Sequence, residues 1–318
     1  MSPFLQRLQQ VIGTALILAF FSEFYFLNEG PVQELLAGMA ESPFVPLVGF
    51  LELIAYYALF SYPMLICIGY FRVSNWASLV LAAGLYGLAA EAMIVPVVYE
   101  AMPYSVFWTS LSWHTLIDVL FGWYILRWAL RARAVWPAVF LMCVAGIFWG
   151  IWATWFWGET PEGALSLRSF ASVSVATSLA LLIGMILADH APVTTFNASP
   201  AEVVGIALIS SGFFVFTGWP YFPLPVLILA MVGIILAALR TARGQGDQDL
   251  LACLDQPPKW SRYLAVALLP IAAIATYYAV LETGFQIAAE DVVLSILSVG
   301  ALSFLSALVG PFWRRLRA

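Results

Sequence analysis

Residues 105–130 read SVFWTSLSWHTLIDVLFGWYILRWAL. A helix needs about 20 apolar residues to cross the hydrocarbon core of a bilayer, and this run is long enough. Yet it carries His114 and Asp118 well inside. An imidazole or carboxylate in hydrocarbon costs several kcal/mol unless it is paired, hydrated or neutralised. The stretch therefore predicts a membrane-spanning helix and a polar site within it.

The rest of the chain agrees. It has 318 residues, of which 63% are hydrophobic and 10% charged, against roughly 25% charged in soluble domains. Mean hydropathy is +0.94. The expected fold is all-α, a polytopic membrane helix bundle without a soluble domain. Apolar runs predict ten spans, at 9–28, 44–71, 76–98, 105–130, 136–157, 169–188, 202–219, 221–241, 262–282 and 292–312. Gly218-Trp219-Pro220 separates the seventh from the eighth as a tight turn. The first run reads as a retained span, because no small-residue cleavage site follows it. The longest hydrophilic connection, about 241–261, contains Pro257-Pro258 and reads as a flexible loop.

Charge sets the expected orientation. Arg7, Arg72, Arg127, Arg131, Arg133, Arg240, Arg243, Lys259, Arg262, Arg314, Arg315 and Arg317 fall on one side of a ten-span chain, and Arg168 on the other. Acidic loops hold the opposite side, at Glu29, Glu34, Glu41, Glu100, Glu159, Glu162, Glu282, Glu290 and Asp291. By the positive-inside rule both termini are expected in the cytoplasm. Tryptophans near the span ends read as interfacial belts, whereas Trp113, Trp149 and Trp152 fall deeper and are candidates to line a cavity.

Five ionisable residues lie within the first four spans: Glu23, Glu52, Glu91, His114 and Asp118. His114 and Asp118 are spaced i, i+4 and share one helix face. A carboxylate so placed accepts from one ring nitrogen, fixes the tautomer and leaves the other nitrogen free. Counting residues inward puts Glu23, Glu52, Glu91 and His114 within roughly 7–14 Å of the acidic surface, with Asp118 a turn deeper. Small residues around Glu91, in Gly87-Leu-Ala-Ala-Glu91, permit close helix approach. A single domain is expected, with the site in 1–134 and residues 135–318 as scaffold or substrate wall.

Several chemistries are excluded. HExxH, phosphate-binding loops, nucleophile elbows and dinucleotide fingerprints are absent. The only other histidine, His190, lies in a predicted loop, so no paired-histidine haem or zinc site can form on one face. The only lysine, Lys259, also lies in a loop, which rules out a buried Schiff base and any basic stripe for nucleic acid. The three cysteines form no CxxC pair. One histidine with up to four carboxylates leaves open an oxygen-rich divalent metal site built from His114, Asp118, Glu91 and Glu52. Three functions remain open at this point. One is an enzyme acting on a lipid-soluble or amphipathic substrate, with His114 as base, Asp118 as its orienter, and Glu91, Glu52 and Glu23 as proton donors or ligands. The others are a proton- or cation-coupled transporter and a non-catalytic subunit of a larger complex. Beyond the lipid bilayer and a lipid-like or small-molecule substrate, no protein partner is legible.

Overall fold

The computed structural model describes residues 2–41, 44–159, 163–243 and 249–317. Glu162 and residues 244–248 of the hydrophilic connection lie outside the described residues, as do the side chains of Glu29, Glu41, Glu159, Arg314, Arg315 and Arg317. The chain is an all-α bundle. Eleven helices carry the argument: α1 (Pro3–Phe24), α2 (Glu29–Glu41), α3 (Phe44–Phe71), α4 (Trp76–Met93), α5 (106–131), α6 (Trp136–Gly158), α7 (Leu167–Asp189), α8 (Pro200–Gly218), α9 (Leu224–Ala242), α10 (Trp260–Thr283) and α11 (Ala289–Arg317).

Among the described residues nine of these are long and apolar enough to cross a membrane, as in a multi-pass membrane protein. Two are not in that set. One is α2, which lies where the sequence suggested only an acidic loop. The other is α5, of comparable length but diluted by His114, Asp118 and several hydroxyl residues. Counting α5, ten helices run back and forth. Hydrogen bonds gather their ends into two faces. Arg7 bonds Glu202, Arg127 bonds Asp189, and the Leu250 N–H donates to Ser74 O on one face. On the other, Thr217 donates to Met93 O, the Trp155 indole to Phe26 O, and the Ile287 N–H to Thr154. Apart from Arg168, at the start of α7, the described arginines cluster at the first, basic face, which also holds both chain ends.

Local signals set the helix starts. Ser2 caps α1 by accepting from the Leu5 N–H, with Pro3 in the first turn, so α1 begins six residues before the apolar run. Asn75 with Ser78 and Ser199 with Glu202 form reciprocal capping boxes on α4 and α8. Neighbours pack as α6 on α10, α1 on α7 and α4 on α5, with α11 against α5. A Cβ at Gly150 would meet the Ala273 carbonyl at 2.5 Å, so α6 and α10 approach almost to backbone contact.

Two helices depart from α-helical winding. Residues 20–24 of α1 and 106–125 of α5 form i→i+5 hydrogen bonds, a pattern that is usually short and concentrated at functional sites. Beyond Phe24 the chain turns out of α1, with Leu27 in the left-handed region at φ 62°. A β-carbon there costs about 1–2 kcal/mol.

At the basic face a second ionic group is buried. Asp189 Oδ1 accepts from Arg127 Nε at 2.7 Å and lies 2.8 Å from Arg131 Nη2, while Tyr263 donates to Oδ2 at 2.9 Å. Both Arg127 and Asp189 are inside the bundle. Removing one partner leaves the other charge uncompensated. Asp189→Ala is therefore expected to destabilise the fold by about 3–5 kcal/mol. A melting temperature of the variant in detergent equal to that of the wild type would show that the group is idle.

Candidate functional site

α4 and α5 bring the central residues together. Gly87 is the reason they can. A Cβ there would run into the Ser110 carbonyl and lie 3.1 Å from His114 Cβ, so only glycine lets the helices close at this level. One turn along α4, Glu91 then reaches across. His114 Nε2 lies 2.7 Å from Glu91 Oε1, and His114 Nδ1 lies 2.7 Å from Asp118 Oδ2. Tyr86, also on α4, donates to the same Asp118 oxygen at 3.1 Å. Ser22 Oγ sits 3.4 Å from Nδ1. Glu91, His114 and Asp118 are 8%, 5% and 0% exposed.

The hydrogen bonds define what this row can do. Each ring nitrogen faces a carboxylate oxygen, so the imidazole has no uncommitted nitrogen. An imidazolium donates to both. A neutral ring donates to one and accepts from the carboxylic acid of the other. Two short bonds in series thus form a path along which one proton moves between Asp118, His114 and Glu91. Glu91 Oε2 and Asp118 Oδ1 are buried with no partner. Asp118, deepest and held by Tyr86, orients the ring.

His114 and Glu91 line a cavity of about 540 Å³, within the roughly 300–1,000 Å³ typical of small-molecule sites. Glu23 is on the same wall, its carboxylate accepting from Tyr57 at 2.5 Å and Asn28 at 2.7 Å. Phe26, Phe60 and Trp113 supply much of the apolar lining. The exposed lining residues Asn28, Glu34 and Val95 place the mouth near the face opposite the basic one.

Four of the five ionisable residues singled out from the sequence are therefore neighbours: Glu23, Glu91, His114 and Asp118. Glu52 is not. It lies exposed on α3, accepts from Tyr56 at 2.8 Å, and lines the adjoining groove along α2. The buried stripe of α3 runs through Ile54, Tyr57, Ser61 and Met64, so the phase of the helix sends Tyr57 to Glu23 and turns Glu52 away. The expected metal set of His114, Asp118, Glu91 and Glu52 also fails on geometry. Both ring nitrogens are engaged by carboxylates, and among the described residues no three His, Cys, Asp or Glu side chains are placed to hold a metal ion.

The tryptophans behind the site were only partly legible. Trp113, Trp149, Trp152 and Trp155 all donate their indole N–H to carbonyls of the Phe21–Phe26 segment, at 3.3, 3.0, 2.9 and 2.8 Å. Trp155 and Trp157, read as interfacial, are inside the aromatic packing, Trp157 donating to Tyr277 OH at 3.0 Å. Trp76, Trp136, Trp219 and Trp260 are exposed, as a belt requires. Nothing in the sequence marks Tyr57, Tyr86 or Asn28 as partners, since one tyrosine among many carries no signal of depth or phase.

Gly87→Ala tests the construction. The added methyl group is expected to push α4 from α5, with a loss of about 1–3 kcal/mol from overpacking. In the folded fraction the histidine ring resonances of His114 should shift as its bond to Glu91 lengthens. An unchanged melting temperature with unchanged ring resonances would refute the close-approach account. Comparison of the chain with family models, with curated proteins and with solved structures returns no match.

Proposed function

We propose that this chain is an integral membrane enzyme performing proton-transfer chemistry on an amphipathic, lipid-like substrate. The observation that carries the reading is the row Glu91–His114–Asp118 ending in a cavity: two of its three members line the cavity wall, and the third is sealed behind them. Glu91 is the acid or base that meets substrate at the cavity wall. His114 returns the proton to Glu91 after each transfer. Asp118 holds Nδ1 and stabilises the charged ring. Glu23, with both oxygens bonded by Tyr57 and Asn28, positions substrate polar groups instead of exchanging protons.

A second reading, a proton- or cation-coupled transporter, draws on the other buried ionic group at Arg127 and Asp189, near the opposite face. It is the weaker of the two. Asp118 is fully buried beneath Tyr86, and below it Trp123 is also fully buried, its indole bonded to Thr14 at 3.1 Å. The polar path from the cavity ends there.

The deciding experiment uses cells deleted for the gene. Wild type should restore a lipid species that His114→Ala, present at the same level, does not. General acid–base groups contribute roughly 10²–10⁴-fold, so the loss should be near complete for His114→Ala and at least about tenfold for Asp118→Asn. A purely structural pair gives the reverse: both variants melt at lower temperature, and the folded protein keeps full activity. A lipid profile in the His114→Ala strain identical to wild type sinks the enzyme reading. Proton uptake into vesicles reconstituted with wild type, abolished by the same change, would move the assignment to transport.

The arginines, on one side apart from Arg168, support a reading in which both termini are cytoplasmic and the cavity mouth opens toward the outer surface of the cell membrane. Cysteines introduced in the 30–38 and 283–290 segments should label in intact cells with an impermeant reagent, and those at 131–134 only after permeabilisation. Labelling of 131–134 in intact cells reverses the orientation.

A further inference from the structure

Two cavities meet along α2 and α3. The first holds Glu23, Glu91 and His114. The second is a groove of about 550 Å³ lined by Phe24, Leu35, Phe50 and Glu52 among others. They share Pro31, Glu34, Leu53 and Tyr56, so together they form one continuous bent site, with Glu91 and His114 at the inner end and Phe24, Leu35, Phe50 and Leu53 along the groove. Four carboxylates stand on these walls: Glu23 and Glu91 in the inner cavity, Glu52 in the groove, and Glu34 in both. Neither wall carries an arginine or lysine among the described residues. Glu91, 8% exposed, lines the inner cavity and has one carboxylate oxygen with no partner among the described residues.

We infer that the amphiphile taken by this site has a protonated amine or a hydroxyl at its polar end, not a phosphate, and that its hydrocarbon chain lies in the α2–α3 groove. The inference rests on the enzyme reading above, since it names that site's substrate class. Phosphate sites are built from arginine, lysine and free backbone N–H groups. Here a phosphate meets four carboxylates with no arginine or lysine to balance them, and repulsion between like charges about 4 Å apart grows as the surroundings lose water. The nearest helix N-terminus, that of α2, offers little, because Pro31 in its first turn has no N–H and the Val32 N–H is bonded to Asn28 O. An amine or alcohol, by contrast, donates directly to Glu91 and to the acceptors around it.

Three twelve-carbon probes separate the possibilities: dodecylamine, dodecanol and dodecyl phosphate, each offered to the protein in nanodiscs of zwitterionic lipid and read by native mass spectrometry. The amine and the alcohol should be retained at concentrations at least about tenfold below the phosphate. Gly49→Phe fills the groove, where a Cβ meets nothing nearer than Glu34 Oε2 at 3.9 Å, and should release both. Glu34→Lys, at an exposed position, should narrow the gap in favour of the phosphate. The inference falls if the phosphate is held as well as the amine, if Gly49→Phe leaves retention unchanged, if Glu34→Lys leaves the preference unchanged, or if no probe is retained. Binding is read here without turnover. An amine preference beside an unaltered lipid profile in the His114→Ala strain removes the enzyme reading and keeps the ligand class. A phosphate preference beside an altered profile does the opposite.

Discussion

Carbonyl groups that a helix gives up inside an apolar bundle must find donors elsewhere, and that requirement organises this protein. In hydrocarbon no water is on hand, so each orphaned carbonyl costs several kcal/mol. When α1 shifts to wider winding at Phe20 and then turns away at Leu27, Phe21, Phe24 and Phe26 present such carbonyls. Four indole N–H groups meet them, three from α6 and one from α5. Tryptophan suits the task because it brings one donor and no acceptor on a large apolar body. Local unwinding is thereby converted into packing, and the packing fixes where Ser22 and Glu23 stand.

The same arrangement explains the division of labour along the chain. Residues 22–114 supply the inner cavity wall, yet that wall is held from behind by Trp149, Trp152 and Trp155 of α6. The second half is not mute electrostatically either: Asp189 closes the ionic group at the basic face, and Glu202 accepts Arg7 through both of its oxygens, at 3.1 and 2.7 Å. What lies between the two charged layers is apolar and tightly filled, with Phe21, Trp123 and Tyr86 fully buried.

Sequence reading went furthest where a single number sufficed. Helix length anticipated the all-α bundle with its nine long apolar helices, and depth along a span matched Glu23, Glu91 and His114. Rotation about the helix axis was the missing coordinate. α3 is apolar on every side, so no polar stripe told Glu52 from a residue on the buried face. The i, i+4 spacing, by contrast, does not depend on rotation, and the His114–Asp118 contact follows from it directly. The helix α2 escaped notice because thirteen residues of mixed polarity between two spans look like a loop. Asp189 escaped because it is the last residue of α7, adjoining His190, where a charge normally faces water. Its burial is decided by Arg127, 62 residues earlier, which no local pattern reveals.

That separation has a consequence for the order of events in synthesis. A chain elongates at about 5–20 residues per second, so Asp189 emerges roughly 3–12 s after Arg127. During that interval Arg127 and Arg131 stand as bare positive charges at the end of α5, free to hold it in its orientation. Once α7 arrives, they are paired and withdrawn from the surface. The finished protein thus shows less bare positive charge at this position than the chain carries before Asp189 is made. Moving Asp189 to a position ahead of Arg127 would leave the final ion pair intact on paper while letting Arg127 pair from the moment it is made.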